Sequence, residues 1–393
     1  MIAKVKINFD MPITCFFRVM KRSIKLSIVR LTLLSLSLFS VSFSLLSQAK
    51  EINLNDVQMI GSHNSYKKAL NPQIQMLIAE KNAKKAAQIN YSHPSLITQL
   101  ALGLRHFEID IVKDPKGGKF AYPEGEKLTQ QTILTPAERA QLNLPGFKVI
   151  HIPDLDFNSH CVLFQKCLDE LLQFSKEQPN HLPIVILMNL KESSTKIANA
   201  TPVLSFNAED YDELDKVLLT TFGDKLITPN EIKGQYSSLE KAVLTAGWPS
   251  INKSRGRFLF ILDGKSHQLE KYRKGHPSLK DRSLFGSYPE GEPEAALMIR
   301  NNPVKSLEEI KQLVDKGYLV RTRADSGAGS MSKTAEVKLQ TERAFDSGAQ
   351  IISTDFYSGA PQVLSYDFVV GFKQGKLYRC NHKIRKEECE LTD

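Results

Sequence analysis

The chain has 393 residues, 41% of them hydrophobic and 24% charged, the balance of a folded globular protein with material for a sizeable core. The formal charge of +9 is concentrated at the start, where residues 1–49 hold seven Lys/Arg against one acid, Asp10, so only about +3 belongs to the remainder. Without a compact Lys/Arg patch interleaved with aromatics, this argues against nucleic acid as a partner, while a mild positive bias stays compatible with anionic lipid.

The first element is a leader. Arg18 to Arg30 is basic, Leu31 to Leu46 is rich in Leu, Ser, Val and Phe, and Ser47-Gln48-Ala49 puts small residues where a signal peptidase reads. The expectation is a signal peptide over residues 1–49, cleavage near Ala49 and export to the periplasm or medium, with Met20 as an alternative start. A membrane anchor is the other reading, but the apolar run is shorter than the ~20 residues a spanning helix needs. No later stretch is long and apolar enough to cross a bilayer.

Apolar runs bounded by turn signals then recur along the chain. The candidate strands are Val57–Ser62, Leu104–Ile111, Lys148–Ile152, Pro183–Leu190, Arg257–Leu262, Ala296–Arg300, Tyr318–Arg323 and Gln350–Asp355. Most are continuous rather than alternating, as in strands buried on both faces of a parallel sheet. Helical periodicity marks Ser95–Leu102, Cys161–Glu177, Tyr211–Phe222, Val304–Lys316 and Lys333–Ser347. Eight strands separated by helices predict a TIM (β/α)8 barrel over residues 50–371, with long loop insertions at 113–147, 192–256 and 264–294. A doubly wound open sheet is the competing architecture, but no G-x-G-x-x-G follows any strand. A polar tail, residues 372–393, closes the chain.

Cys15 belongs to the leader. The remaining Cys161, Cys167, Cys380 and Cys389 allow three pairings, and proximity favours Cys161–Cys167 and Cys380–Cys389, the second stapling the tail. Four free thiols in a reducing compartment are the alternative.

In such a barrel, chemistry sits at the C-terminal ends of strands. Strand one ends at His63-Asn64. The second carries Glu108 and Asp110, two residues apart and therefore on one side. The third ends at His151 and Asp154, the fourth at Asn189 and Lys191, the fifth at Asp263, the seventh at Arg323 and Asp325, the eighth at Asp355. Asn64, Glu108, Asp110 and Asn189 are oxygen donors suited to Ca2+, ahead of Mg2+; a Glu and Asp merely paired with Arg105 or Lys113 is the plain alternative. His63 and His151 have the side chain whose charge changes near working pH, and are the expected acid–base pair. Lys191, Arg323, Asp325 and Asp355 are candidate substrate contacts, though Lys191 and Arg323 can equally pair with Glu192 and Asp325. The other histidines, His93 among them, lack this context and read as surface or packing residues; His106 shares the parity of Glu108 and is placed lower in the barrel. Gly61 is expected where backbone must approach closely.

Met59-Ile60-Gly61-Ser62-His63-Asn64-Ser65-Tyr66, Phe107-Glu108-Ile109-Asp110, the run Val149 to Asp156, the run Tyr318 to Asp325 and the run Ala349 to Asp355 together resemble the secreted, calcium-dependent phosphoinositide phospholipase C-like family. The resemblance implies a TIM-barrel phosphodiesterase that cleaves the glycerol–phosphate bond of phosphatidylinositol, with an inositol hydroxyl as internal nucleophile. By position it implies His63 and His151 as catalytic histidines and Asn64, Glu108 and Asp110 as calcium ligands. One departure stands out. The strand-four motif of relatives offers a carboxylate before Leu-Lys, whereas this chain has Asn189-Leu190-Lys191, one negative charge fewer. Two other functions compete: a glycerophosphodiester phosphodiesterase, disfavoured because His63 is followed by Asn64-Ser65 rather than Arg-Gly, and a non-catalytic exported barrel that binds inositol lipid. The expected partner is a phospholipid surface, met by a monomer.

Overall fold

A computed structural model describes residues 51–326, 334–366, 368–385 and 389–393. The expected leader lies outside the described residues. Eleven strands are found among them: β1 (Val57–Ser62), β2 (His106–Asp114), β3 (Gly146–Val149), β4 (Ile184–Leu190), β5 (Leu226–Ile227), β6 (Phe258–Asp263), β7 (Leu284–Gly286), β8 (Leu297–Ile299), β9 (Leu319–Arg323), β10 (Ile351–Thr354) and β11 (Tyr378–Cys380). Eight of these run as parallel staves. Ladders join β2, β4, β6 and β7 in that order, and β8, β9, β10 and β1 in that order. A single parallel bridge, Ser287 to Leu297, links β7 to β8. β1 lies beside β2, but no ladder joins them among the described residues. The result is the TIM-barrel order of staves, with one seam that the backbone does not stitch.

Continuous apolarity explains the staves. All nine residues of β2 and the Ile184–Met188 run of β4 are buried, because one face meets the barrel interior and the other meets covering helices. The helices Leu96–Ala101, Phe164–Glu177, Ala208–Phe222, Leu307–Lys316 and Thr334–Asp346 stand within a few residues of where periodicity puts them. Ala208–Phe222 starts on a capping box: the Asn207 side chain accepts from the Asp210 amide, and the Asp210 carboxylate accepts from the Asn207 amide.

Two strand assignments need correction. The expected third stave, Lys148–Ile152, stops at Val149 and pairs antiparallel with the outer end of β2, Ile111 to Asp114. β2 overshoots the rim, and its projecting end needs a partner that apolarity alone cannot distinguish from a parallel stave. The missing stave is β7, three residues inside the connection read as a loop insertion. It is too short to stand out as an apolar run.

The 113–147 connection is not a bare loop. With the helix Pro72–Gln88 and the segment after β3 it forms a small second core around Ile74, Val112, Phe120, Leu142, Ile150 and Phe157. That core carries the turn bearing His151. The tail is knitted to the barrel, with β11 antiparallel to β1. Cys161–Cys167 and Cys380–Cys389 are both disulfide-bonded. No described helix is long and apolar enough to cross a membrane.

Candidate active site

Which residues face the barrel interior follows from one contact. The Arg321 guanidinium on β9 donates to a Glu108 carboxylate oxygen on β2 at 2.5 Å, a bond that can only be made through the interior. Alternation then points Asp110 and Arg323 inward. Register extends the set, because Asp110 pairs with Asn189 on β4 and Asn189 with Asp263 on β6. Gly61, the register partner of Ser353, faces the same way: a Cβ there would lie 2.1 Å from the His106 carbonyl oxygen. Glycine is therefore required where β1 packs on His106, which is buried inside the barrel as its parity suggests.

β1 ends in a turn that crosses onto β2. The Ser65 amide donates to the Glu108 carbonyl, and the Ser65 hydroxyl accepts from the Glu108 amide, each at 2.8 Å. Asn64 in this turn is left-handed, at φ 48°, a conformation asparagine tolerates. The turn places His63 over the acid pair. Its Nδ1 lies 3.2 Å from Asp355 Oδ1 and its Nε2 3.8 Å from Glu108 Oε1. Burial pushes the Asp355 carboxyl up, but His63, His93 and Arg323 outweigh burial and hold it well below the usual carboxylate range. An ionised Asp355 only accepts, so His63 Nδ1 carries a proton and donates to it, which turns Nε2 toward Glu108. Glu108 behaves alike: burial raises it, and His63, Arg321 and Arg323 bring it down to about 2.

His151 repeats this arrangement on other elements. Its Nδ1 is 2.7 Å from Asp156 Oδ2, which also lies 3.3 Å from the Lys67 ammonium. His151 is not at a stave end as expected; it follows β3, in the turn supported by the second core. Both histidines neighbour one ring, Tyr91, whose centroid lies 5.5 Å from that of His63 and 6.5 Å from that of His151. The two side chains keep 16% and 12% exposure, enough for a ligand to reach them.

The oxygen donors fit a hard cation in part. Asn64 Oδ1 and Asp110 Oδ1 are buried and have no hydrogen-bond partner, the condition a cation relieves. Asn64 presents that oxygen because its Nδ2 donates to the Tyr91 hydroxyl at 2.5 Å. The other Asp110 oxygen accepts from the Tyr66 hydroxyl at 2.9 Å and lies 2.8 Å from the Lys191 ammonium. Asp110 and Glu108 are thus each matched by a side-chain cation, Lys191 and Arg321, not by Arg105 or Lys113. Those two pair elsewhere, with Asp393 and Asp210. No group of three or more His, Cys, Asp and Glu among the described residues is already gathered as a metal cluster.

The remaining candidates divide. Arg323 lies 3.3 Å from Asp355 and 3.2 Å from Asp325. Asp325 is buried, and its second oxygen accepts from the Asp355 amide at 2.6 Å and the Thr354 hydroxyl at 2.9 Å. It stands behind Asp355, with no open oxygen for a substrate. Asp154 is likewise a brace, accepting from the Glu124 amide and from Thr201. His93, read from sequence as a surface or packing residue, is part of the site. It donates from Nε2 to the His63 carbonyl at 2.8 Å and lies 3.5 Å from Asp355. Tyr91, His93 and Arg321 carry no strand-end signal. The first two come from the connection after Gln88, and Arg321 sits within a stave.

A barrel of parallel staves, with two carboxylate-oriented imidazoles and paired acids at one mouth, defines a TIM-barrel phosphodiesterase. Residues 52–382 match the family described as phosphoinositide phospholipase C, Ca2+-dependent, and the chain belongs to that family. It is an enzyme of that class, and the family is calcium-dependent. Among solved structures it is similar to a calcium-dependent phosphoinositol-specific phospholipase C from a Gram-negative bacterium, Pseudomonas sp., at 15% identity, TM-score 0.50, over 84% of this chain and 96% of that one. It is also similar to a Ca2+-dependent phosphatidylinositol-specific phospholipase C from Streptomyces antibioticus, at 16% identity, TM-score 0.49, over 77% and 95%. The phosphatidylinositol-specific phospholipase C of Listeria monocytogenes follows at 13% identity, TM-score 0.43, over 78% and 90%. No curated protein matches the chain at a significant level.

Proposed function

We propose that this protein cleaves the glycerol–phosphate bond of phosphatidylinositol, releasing diacylglycerol and an inositol phosphate. The observation that carries this is the pair of imidazoles that neighbour Tyr91, each with Nδ1 tied to a buried carboxylate. His63 Nε2 takes the proton from the inositol hydroxyl that attacks phosphorus. His151, protonated, gives one from Nε2 to the departing glycerol oxygen. Asp355 and Asp156 fix each ring's tautomer and stabilise the imidazolium. Lys191 and Arg323 would meet phosphate oxygens, and Asp325 would act through Asp355 and Arg323. Asn64, Glu108, Asp110 and Asn189 are the residues that would hold Ca2+, which supplies positive charge against the anionic phosphate and the attacking hydroxyl. His93 anchors the His63 main chain.

A lipid surface fits the rim. The Gln362 side chain donates to the Asp355 carbonyl at 2.5 Å, and Leu364, two residues on, is 90% exposed. The enzyme is proposed to act after export, as a monomer.

Phosphorus NMR of phosphatidylinositol vesicles, with and without calcium, tests substrate, bond and metal together. Inositol phosphate is expected only with calcium, and His63→Ala abolishes it. Equal turnover in excess chelator refutes the metal role. Glycerol phosphate from water-soluble glycerophosphodiesters points instead to a glycerophosphodiesterase, and vesicle binding without product at saturating calcium to a binding protein.

A further inference from the structure

The calcium site proposed above is short of charge. Asn189 stands where a carboxylate is expected, Asp110 is paired with Lys191 and Glu108 with Arg321. A divalent cation whose nearby carboxylates already have cationic partners gains little from them. The neighbouring stave has what Asn189 lacks. Asp263 ends β6 and is the register partner of Asn189, which is itself the register partner of Asp110. Adjacent strands are ~4.8 Å apart and register partners point the same way. The three side chains therefore form one inward row.

Two further observations set Asp263 apart from an acid on a solvated rim. Its side chain, partly buried, makes no hydrogen bond or ion pair among the described residues, while its backbone is paired in the β4–β6 ladder. It also lies within electrostatic reach of Arg321, Glu108, Asp110 and Lys191, so its carboxyl belongs to the same interior. The row ends on Asp110 Oδ1, which is fully buried and has no partner. A carboxylate without a cation and a buried oxygen without a donor flank one amide, an arrangement that a divalent ion completes.

We propose that Asp263 is a calcium ligand of this chain, supplying from β6 the negative charge that Asn189 does not supply from β4. The proposal rests on the calcium reading of the site but assigns a residue that reading does not contain. The cation would be held by Asn64 and Asp110 from one side and by Asp263 across Asn189 from the other. Glu108 would remain largely with Arg321.

Isothermal titration of the purified protein with CaCl2, free of lipid, separates the two claims. Asp263→Asn keeps the shape and removes the charge, and is expected to weaken calcium binding roughly tenfold or more. Adding Asn189→Asp on that background moves the charge one stave along and restores most of the lost affinity. Asp110→Asn serves as reference, and circular dichroism confirms that each variant is folded. Loss with Asp110→Asn but wild-type affinity with Asp263→Asn overturns the Asp263 assignment alone. Wild-type affinity in both variants, or no calcium binding by the parent protein, overturns the calcium reading and this proposal with it. If Asp263→Asn fails to fold, Asn189→Asp alone decides: a second carboxylate beside Asp263 raises affinity, whereas no change counts against the row as a cation site.

Discussion

Asp355→Asn is the sharpest probe of the histidine pair. The substitution keeps the shape of the side chain and removes the charge that faces His63 Nδ1 at 3.2 Å. An amide offers its NH2 as readily as its oxygen, so Nδ1 is no longer compelled to carry the proton and Nε2 is no longer guaranteed as the base. A hydrogen bond to a charged group contributes about 1.5–3 kcal/mol, which corresponds to roughly 10- to 150-fold in rate. Arg323 keeps Asp325 as a partner, so the fold is expected to survive. The assay is kcat on phosphatidylinositol in mixed micelles at fixed calcium, repeated with a nitrophenyl inositol phosphate. Asp355→Asn should lose about the same factor on both substrates, because both need the attacking hydroxyl deprotonated. His151→Ala should lose much less on the nitrophenyl ester, whose leaving group departs without a proton. A kcat for Asp355→Asn within threefold of wild type refutes the orienting role. An equal loss for His151→Ala on both substrates refutes the assignment of His151 as the acid.

Gly61→Ala should destabilise the protein, since the new Cβ would meet the His106 carbonyl at 2.1 Å and the His106 Cβ at 2.4 Å. Overpacking of this kind costs typically ~1–3 kcal/mol, read as a lower urea midpoint, and an unchanged midpoint contradicts the close packing of β1 on β2. Acid stability should depend on His181, which lies between Phe174 and Phe258 and is pushed by burial down to about 4. Between that value and ~6.5 the unfolded chain binds a proton that the folded one does not. Stability therefore rises with pH across that window, is fully present above it, and is lost as pH falls toward 4, by up to about 3 kcal/mol. His181→Phe should flatten the dependence in urea titrations from pH 4 to 7; an unchanged slope removes His181 as its source.

How much of this was legible in the sequence depends on range. The E-x-D spacing of Glu108 and Asp110 fixes their common side by alternation alone, and the continuous apolar runs of β2, β4 and β6 announce parallel staves. His63 and Asp355 end two staves that register places side by side. What the sequence hides is partner choice. Nothing local says that β3 turns back on β2, or that three residues at Leu284 complete the ring of staves. Arg321 sits in a stave where a charged side chain looks out of place until Glu108 is seen across the interior. Tyr91 and His93 arrive from a polar connection whose position depends on packing far along the chain. Asp263 was visible as a strand end, but its meaning needed the register of β6 against Asn189.

The unstitched seam between β1 and β2 has a consequence of its own. His63 and the acid pair are carried by neighbouring walls that share no backbone ladder, and their spacing is set by the Ser65 turn, the Tyr66–Asp110 bond and the contact of Gly61 with His106. Such a join opens by breaking a few bonds rather than a whole ladder. The Ser65 amide, which donates to the Glu108 carbonyl across this join, should exchange with solvent ahead of those in the β4–β6 wall, and loading the mouth with ligand should slow it.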